Sequence, residues 1–141
     1  MNKICTDIEQ SKKLIELGID VNTADMYWWS TSKRSYIEAM DDGDFDETEG
    51  HIPAWSLTAL MNLLPSEFTE KGEYSETTYR IDIRKYALTD DVDIYQIAYG
   101  NYHWYEDGSH SWKDMVNSGE KEELIDAVFQ MIIWLKENEK I

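Results

Sequence analysis

Apolar positions recur along this chain in two rhythms, one of helices and one of strands. Thr6-x-x-Glu9 has the spacing of a capping box, and Ile8, Leu14, Ile15 and Leu17 follow as a helical stripe that Gly18 can close in the left-handed conformation. Met26-Tyr27-Trp28-Trp29 and Ser35-Tyr36-Ile37-Glu38-Ala39-Met40 are rich in strand formers and predict a β-hairpin connected through Ser30 to Arg34. A second helix is expected from Pro53, with Ser56 as a rival start, burying Leu57, Leu60, Met61 and Leu64 before Pro65. Residues 66–77 read as loop. Thr78 to Leu88 alternates, with Tyr79, Ile81 and Ile83 on one face and Arg80, Asp82 and Arg84 on the other. Val92 to Tyr99 predicts the next strand, Gly100-Asn101 a turn or bulge, and Tyr102 to Tyr105 a short further strand ended by Glu106-Asp107-Gly108.

The last element is the most strongly patterned. Between Leu124 and Leu135 only Asp126 and Gln130 are not apolar, and they stand four apart on one narrow strip. A helix apolar on nearly every side is buried on several sides, which makes this the expected central core helix. Helix, hairpin, helix, strands, helix gives an α+β fold: a small, mainly antiparallel sheet with three helices, expected as one domain over residues 1–141. Leu14 to Asn22 has the look of an ankyrin-repeat end, but residues 47–58 do not repeat it, so that reading is rejected.

Composition narrows the classes. Among 141 residues there are 29 acids and 13 bases, a net charge of −16, alongside six Trp and nine Tyr. So many aromatics exclude an acidic disordered chain. No apolar run reaches a bilayer span and the first residues do not resemble a signal peptide, so the expected setting is cytoplasmic with no membrane partner. Residues 1–70 carry 14 acids and 5 bases, and 71–141 carry 15 and 8, so the folded surface itself is acidic. Direct nucleic-acid binding needs a basic footprint and is disfavoured.

The candidate chemistry is sparse. Cys5 is the single cysteine, which excludes an internal disulfide; a reactive thiol at a helix start is weighed against a small core residue. Asp41 to Glu49 places six carboxylates in nine residues. An EF-hand begun at Asp42 would need Gly and Glu where the chain has Glu47 and Pro53, so a solvated loop is expected and no metal is assigned. His51, His103 and His110 are weighed as metal ligands or general bases, and His103 and His110, with Glu106 and Asp107 between them, are the only hint of an acid–base site. No nucleotide-binding or nucleophile motif is present, no catalytic residue is named and no cofactor is expected.

The aromatic clusters are more informative. Strand alternation sends Tyr27 and Trp29 one way and Trp28 the other, and likewise separates Tyr102 and Trp104 from His103 and Tyr105. A sheet covered on one face cannot bury both sets, so Trp28, Trp29, Tyr102, Trp104 and Tyr105 are the candidate binding residues.

One resemblance bears on this. Ile52-Pro53-Ala54-Trp55-Ser56-Leu57-Thr58-Ala59-Leu60, the Tyr79-Arg80-Ile81 strand, and Asp126, Ala127, Met131, Ile132, Trp134, Leu135, Glu137 and Asn138 of the last helix resemble an uncharacterised family of small proteins from gut bacteria and their phages or mobile elements. The resemblance implies a compact α+β fold and no activity.

Three functions are carried forward. The first is a non-enzymatic, acidic protein-interaction domain, in sharper form an inhibitor that imitates nucleic acid and occupies a basic, nucleic-acid-binding protein. The second is a carbohydrate- or small-ligand-binding domain using exposed Trp and Tyr. The third is a small enzyme with a histidine–carboxylate site. The partner is expected to be another protein, with a homodimer as a further arrangement.

Overall fold

The computed structural model describes residues 3–40 and 45–141. It is an α+β protein with three helices and two antiparallel sheets, and the chain divides into two compact units, residues 1–63 and 64–141.

In the first unit, α1 (Ile8–Glu16) precedes the hairpin of β1 (Met26–Ser30) and β2 (Ser35–Ala39). A short strand β3 (Ile52–Ala54) joins the other edge of β1, giving the order β2-β1-β3, and α2 (Leu57–Leu63) follows. The capping box of α1 lies one residue beyond the expected place: the Asp7 carboxylate accepts from the Gln10 N–H at 2.8 Å and the Gln10 side chain from the Asp7 N–H at 3.1 Å. The reason is that Thr6 is fully buried and used elsewhere. Its N–H donates to the Trp55 carbonyl at 2.9 Å, and its hydroxyl accepts from the Trp55 N–H at 3.1 Å and pairs with Ser11 at 2.7 Å. Its carbonyl accepts from the Trp28 indole at 2.9 Å. Thr6→Val keeps the shape but strands the Trp55 N–H and the Ser11 hydroxyl. Urea denaturation is expected to show a loss of about 2–4 kcal/mol, with Thr6→Ser losing far less.

Pro53 belongs to β3, not to a helix. A proline fits an edge strand, where one missing N–H leaves no ladder bond unmade. Ser56 is the residue at the helix start, its hydroxyl accepting from the Ala59 N–H at 3.2 Å. Burial, reinforced by Asp25 and Asp7, pushes the Cys5 thiol up to about 11, so it stays protonated and acts as a small core residue.

The second unit is a four-stranded sheet, β4 (Glu67–Lys71), β5 (Glu76–Ala87), β6 (Asp93–Trp104) and β7 (His110–Asn117), in that spatial order, followed by α3 (Leu124–Glu137). Residues 66–77 therefore hold a strand in place of the loop that their composition suggests. The predicted short strand at 102–105 is the far end of one long β6. The expected irregularity at Gly100 is a bulge: Tyr99 faces Val116, Gly100 faces Asp114, and Met115 is the extra residue.

Helix α3 packs on β6 and is the core of this unit. Ile125, Ala127, Val128, Met131, Ile132, Ile133 and Leu135 are buried against a face carrying Phe68, Ile97 and Tyr99. Trp134 is half-buried, its ring centroid 6.0 Å from that of Phe68. No helix among the described residues is long and apolar enough to cross a membrane.

Candidate functional site

Cross-strand partners share a face, so the register of the second sheet separates its two surfaces. Phe68, Tyr79, Ile81, Tyr99 and Val116 lie on the helix side. The other side carries Arg80, Asp82 and Arg84 of β5, Gln96, Gly100, Tyr102 and Trp104 of β6, and His110, Trp112 and Asp114 of β7. The bulge makes this possible. Without it, Val116 would share a face with Trp112 and the apolar and aromatic sets would mix on both sides.

A polar network anchors this open face. The Arg84 guanidinium donates to Asp82 at 2.7 Å, to Gln96 at 3.0 Å and to both oxygens of Asp114, one at 2.9 Å. Asp114 also accepts from the Trp112 indole at 2.7 Å and from Asn117 at 3.3 Å. These donors, Arg84 foremost, hold the Asp114 carboxyl below the usual carboxylate range, and Asp114 in turn raises Arg84. Trp112 rests on Gly100, where its indole carbons occupy the space a side chain would take.

Beyond the network the aromatics continue to the end of the hairpin. Tyr102 meets Trp112 edge-on at 5.3 Å and His110 at 5.2 Å, and Trp104 packs against His110 at 4.5 Å. Trp104 is 70% exposed, Tyr102 57% and Tyr105 49%. The turn after Tyr105 carries Glu106 and Asp107, and Ser109 donates to Asp107 from both its N–H and its hydroxyl.

The five sequence candidates fall into two groups in separate units. Tyr102, Trp104 and Tyr105 stand exposed on the second, whereas Trp28 and Trp29 of the first are half-buried. Trp28 is committed to the Thr6 carbonyl, and Trp29 stacks on Tyr36 with centroids 4.4 Å apart. Tyr27 is buried, stacked on His51 at 5.0 Å, and donates to Glu38 at 2.8 Å. The histidine–carboxylate neighbourhood does not converge: His110 faces Trp104 in the register and His103 faces Ser111, so their side chains leave the ribbon on opposite sides. Among the described residues no cluster of His, Cys, Asp or Glu could hold a metal ion. The calcium question at Asp41, Asp42 and Asp44 lies outside the described residues, while Asp46 accepts from Thr48 at the start of a short turn.

The residues sequence reasoning passed over are Arg80, Asp82, Arg84, Trp112 and Asp114. The alternation of Arg80, Asp82 and Arg84 was visible as a polar strand face. What was missing was β7, whose His110-Ser111-Trp112-Lys113-Asp114 run is too polar to announce a strand and whose alternation breaks at the bulge. No protein-family model, curated protein or solved structure matches this chain, so its function has to be argued from the geometry of this face.

Proposed function

We propose that the protein is a non-enzymatic interaction domain that binds another protein through the aromatic end of the β6–β7 hairpin, with Trp104 and Tyr105 as anchors and Tyr102 beside them. The observation that supports this most is their exposure: three large aromatics stand exposed at one hairpin end, Tyr102 and Trp104 on one face of the ribbon and Tyr105 on the other, where its hydroxyl pairs with Ser111 at 3.0 Å. Monomers rarely leave such a cluster on the surface without a role, and Trp and Tyr are the residues that dominate interface energetics.

The charge around the cluster suggests the partner. The unit that carries it has 17 acids against 8 bases, and the first unit has 12 against 5. An acidic rim formed by Glu106 and Asp107 favours a basic surface and disfavours a phosphate backbone. A nucleic-acid-binding protein has such a surface, and in that narrower form the chain acts as an inhibitor competing with nucleic acid.

The experiment compares the full chain with a Trp104→Ala/Tyr105→Ala variant as baits in lysate from its own host, with captured proteins identified by mass spectrometry. Both side chains are exposed, so the variant should keep its stability within about 0.5 kcal/mol. The expected result is a basic protein retained by the unmodified chain, lost by the variant, and released as salt rises towards physiological strength. Equal capture by both baits, or a salt-insensitive acidic partner, would overturn the reading.

A further inference from the structure

Next to the hairpin end, the open face of the second sheet holds a groove of about 760 Å³, lined by Arg80, Ile81, Asp82, Arg84, Tyr102, Trp112 and Asp114. That volume lies in the range of small-ligand sites. We propose that the groove is a binding site for a neutral saccharide. The site adjoins the protein contact and shares Tyr102 with it, but its hydrogen-bonding groups, Arg80 and Asp82, lie outside that contact.

Hydrogen-bonding capacity around the groove decides which ligand fits. Both oxygens of Asp114 already accept two bonds each, from Arg84 and Trp112 on one and from Arg84 and Asn117 on the other. Asp114 is therefore a fixed strut with nothing left to offer a ligand. Asp82 uses one oxygen on Arg84, and its other oxygen has no partner among the described residues. Arg80 is 75% exposed and bonds Glu67 through Nε, at 3.3 Å, and its two terminal amino groups have no partner among the described residues. The Tyr102 hydroxyl is also unengaged among the described residues. The groove thus presents several N–H donors, one carboxylate oxygen and one phenol beside an aromatic wall.

Each class of ligand can be weighed against that inventory. An anion would use the donors, but Glu67, Asp82 and Asp114 outnumber the two arginines and the whole unit repels it. A cation would gain from the general field, yet inside the groove it meets two guanidiniums and a single open carboxylate oxygen. A plain apolar ligand would leave the amino groups of Arg80 desolvated and unpaired. A saccharide ring satisfies every part. Its hydroxyls accept from Arg80 and donate to Asp82, its C–H face lies on Tyr102 or Trp112, and it carries no charge for the acidic surface to repel. The wall is also preorganised: Gly100 seats the Trp112 indole, Asp114 holds its N–H, and Arg84 holds Asp114.

The test is NMR titration of the ¹⁵N-labelled full chain, reading the Trp112 indole N–H and the Arg80 Nε–H. Maltotriose, cellotriose, xylotriose and mannotriose are the neutral probes; trigalacturonate and chitosan trimer are the anionic and cationic ones. At least one neutral trisaccharide is expected to shift both signals saturably at concentrations up to about 10 mM, the range of weak single-site recognition. Arg80→Ala and Asp82→Asn should each weaken that binding about tenfold or more while leaving the amide spectrum otherwise folded. The proposal is overturned if no neutral probe shifts the two signals. It is equally overturned if a charged probe binds more tightly than every neutral one, or if the Arg80→Ala chain binds as well as the original.

Discussion

Trp55→Ala is expected to cost about 3–5 kcal/mol, the usual loss for a large aromatic removed from a fully buried site. Trp55 has no solvent exposure and is the largest such side chain among the described residues. Its backbone exchanges bonds with Thr6, its indole donates to the Thr23 hydroxyl at 2.8 Å, and it lies between β3 and α2. Truncation therefore opens a cavity and leaves the Thr23 hydroxyl to solvent, while the Thr6 bonds survive because they involve only the Trp55 backbone. Trp55→Phe separates the two contributions: it keeps most of the volume, loses the indole donor, and should cost about 1–2 kcal/mol. Urea denaturation followed by far-ultraviolet circular dichroism measures both. A loss for Trp55→Ala below about 1 kcal/mol would mean that residue 55 is not the centre of the first unit.

Trp55 also shows where sequence reading worked and where it stopped. The helix at Leu124–Glu137 was legible because twelve nearly uninterrupted apolar residues can satisfy themselves only by burial on several sides. The first hairpin was legible from paired strand formers around a polar connection, and the structure pairs Met26 to Ala39 through Ser30 to Ser35 as that reading requires. The segment before Trp55 misled because Pro53 is equally at home at a helix start and on a sheet edge, and only the pairing of Tyr27 with Pro53 decides between them. The capping box misled by one residue, since a local spacing rule cannot know that Thr6 is claimed by a residue 49 positions away. β4 was hidden because Glu67, Thr69 and Lys71 leave Phe68 as its one buried residue.

The candidate face was half legible. Exposure of Tyr102 and Trp104 followed from alternation in a sheet covered on one side, whereas Tyr105 belongs to the alternate set and stands exposed beyond the end of β6. The same alternation named Trp28 and Trp29, which local packing and the bond to Thr6 hold half-buried. The Arg84–Asp114 network joins residues 30 positions apart on strands that are not neighbours, across β6. No local pattern announces a contact of that kind, because it exists only once the register of three strands is set.

Gly100→Ala is expected to destabilise the second unit by about 2–4 kcal/mol and to dismantle the groove wall with it. A Cβ at this position would stand 2.2 Å from the Lys113 carbonyl oxygen and 2.9 Å from two indole carbons of Trp112. The indole could swing away. The carbonyl is part of the β6–β7 ladder and cannot move without pulling β7 off its register, which is why the cost exceeds that of ordinary crowding. Gly108→Ala is the contrasting case. It lies in the hairpin turn at φ +85° with nothing within 4 Å of the added carbon, so its penalty is only the left-handed backbone, about 1–2 kcal/mol. Chemical denaturation gives the two losses, and the Trp112 indole N–H resonance gives their location. It should move sharply in Gly100→Ala, because Trp112 leaves both Gly100 and Asp114, and stay in place in Gly108→Ala. An unchanged Trp112 signal in Gly100→Ala, with stability within about 0.5 kcal/mol, would show that the indole is not seated on residue 100. The wall of the groove would then have to be built from Tyr102 alone, with nothing beneath it to fix its position.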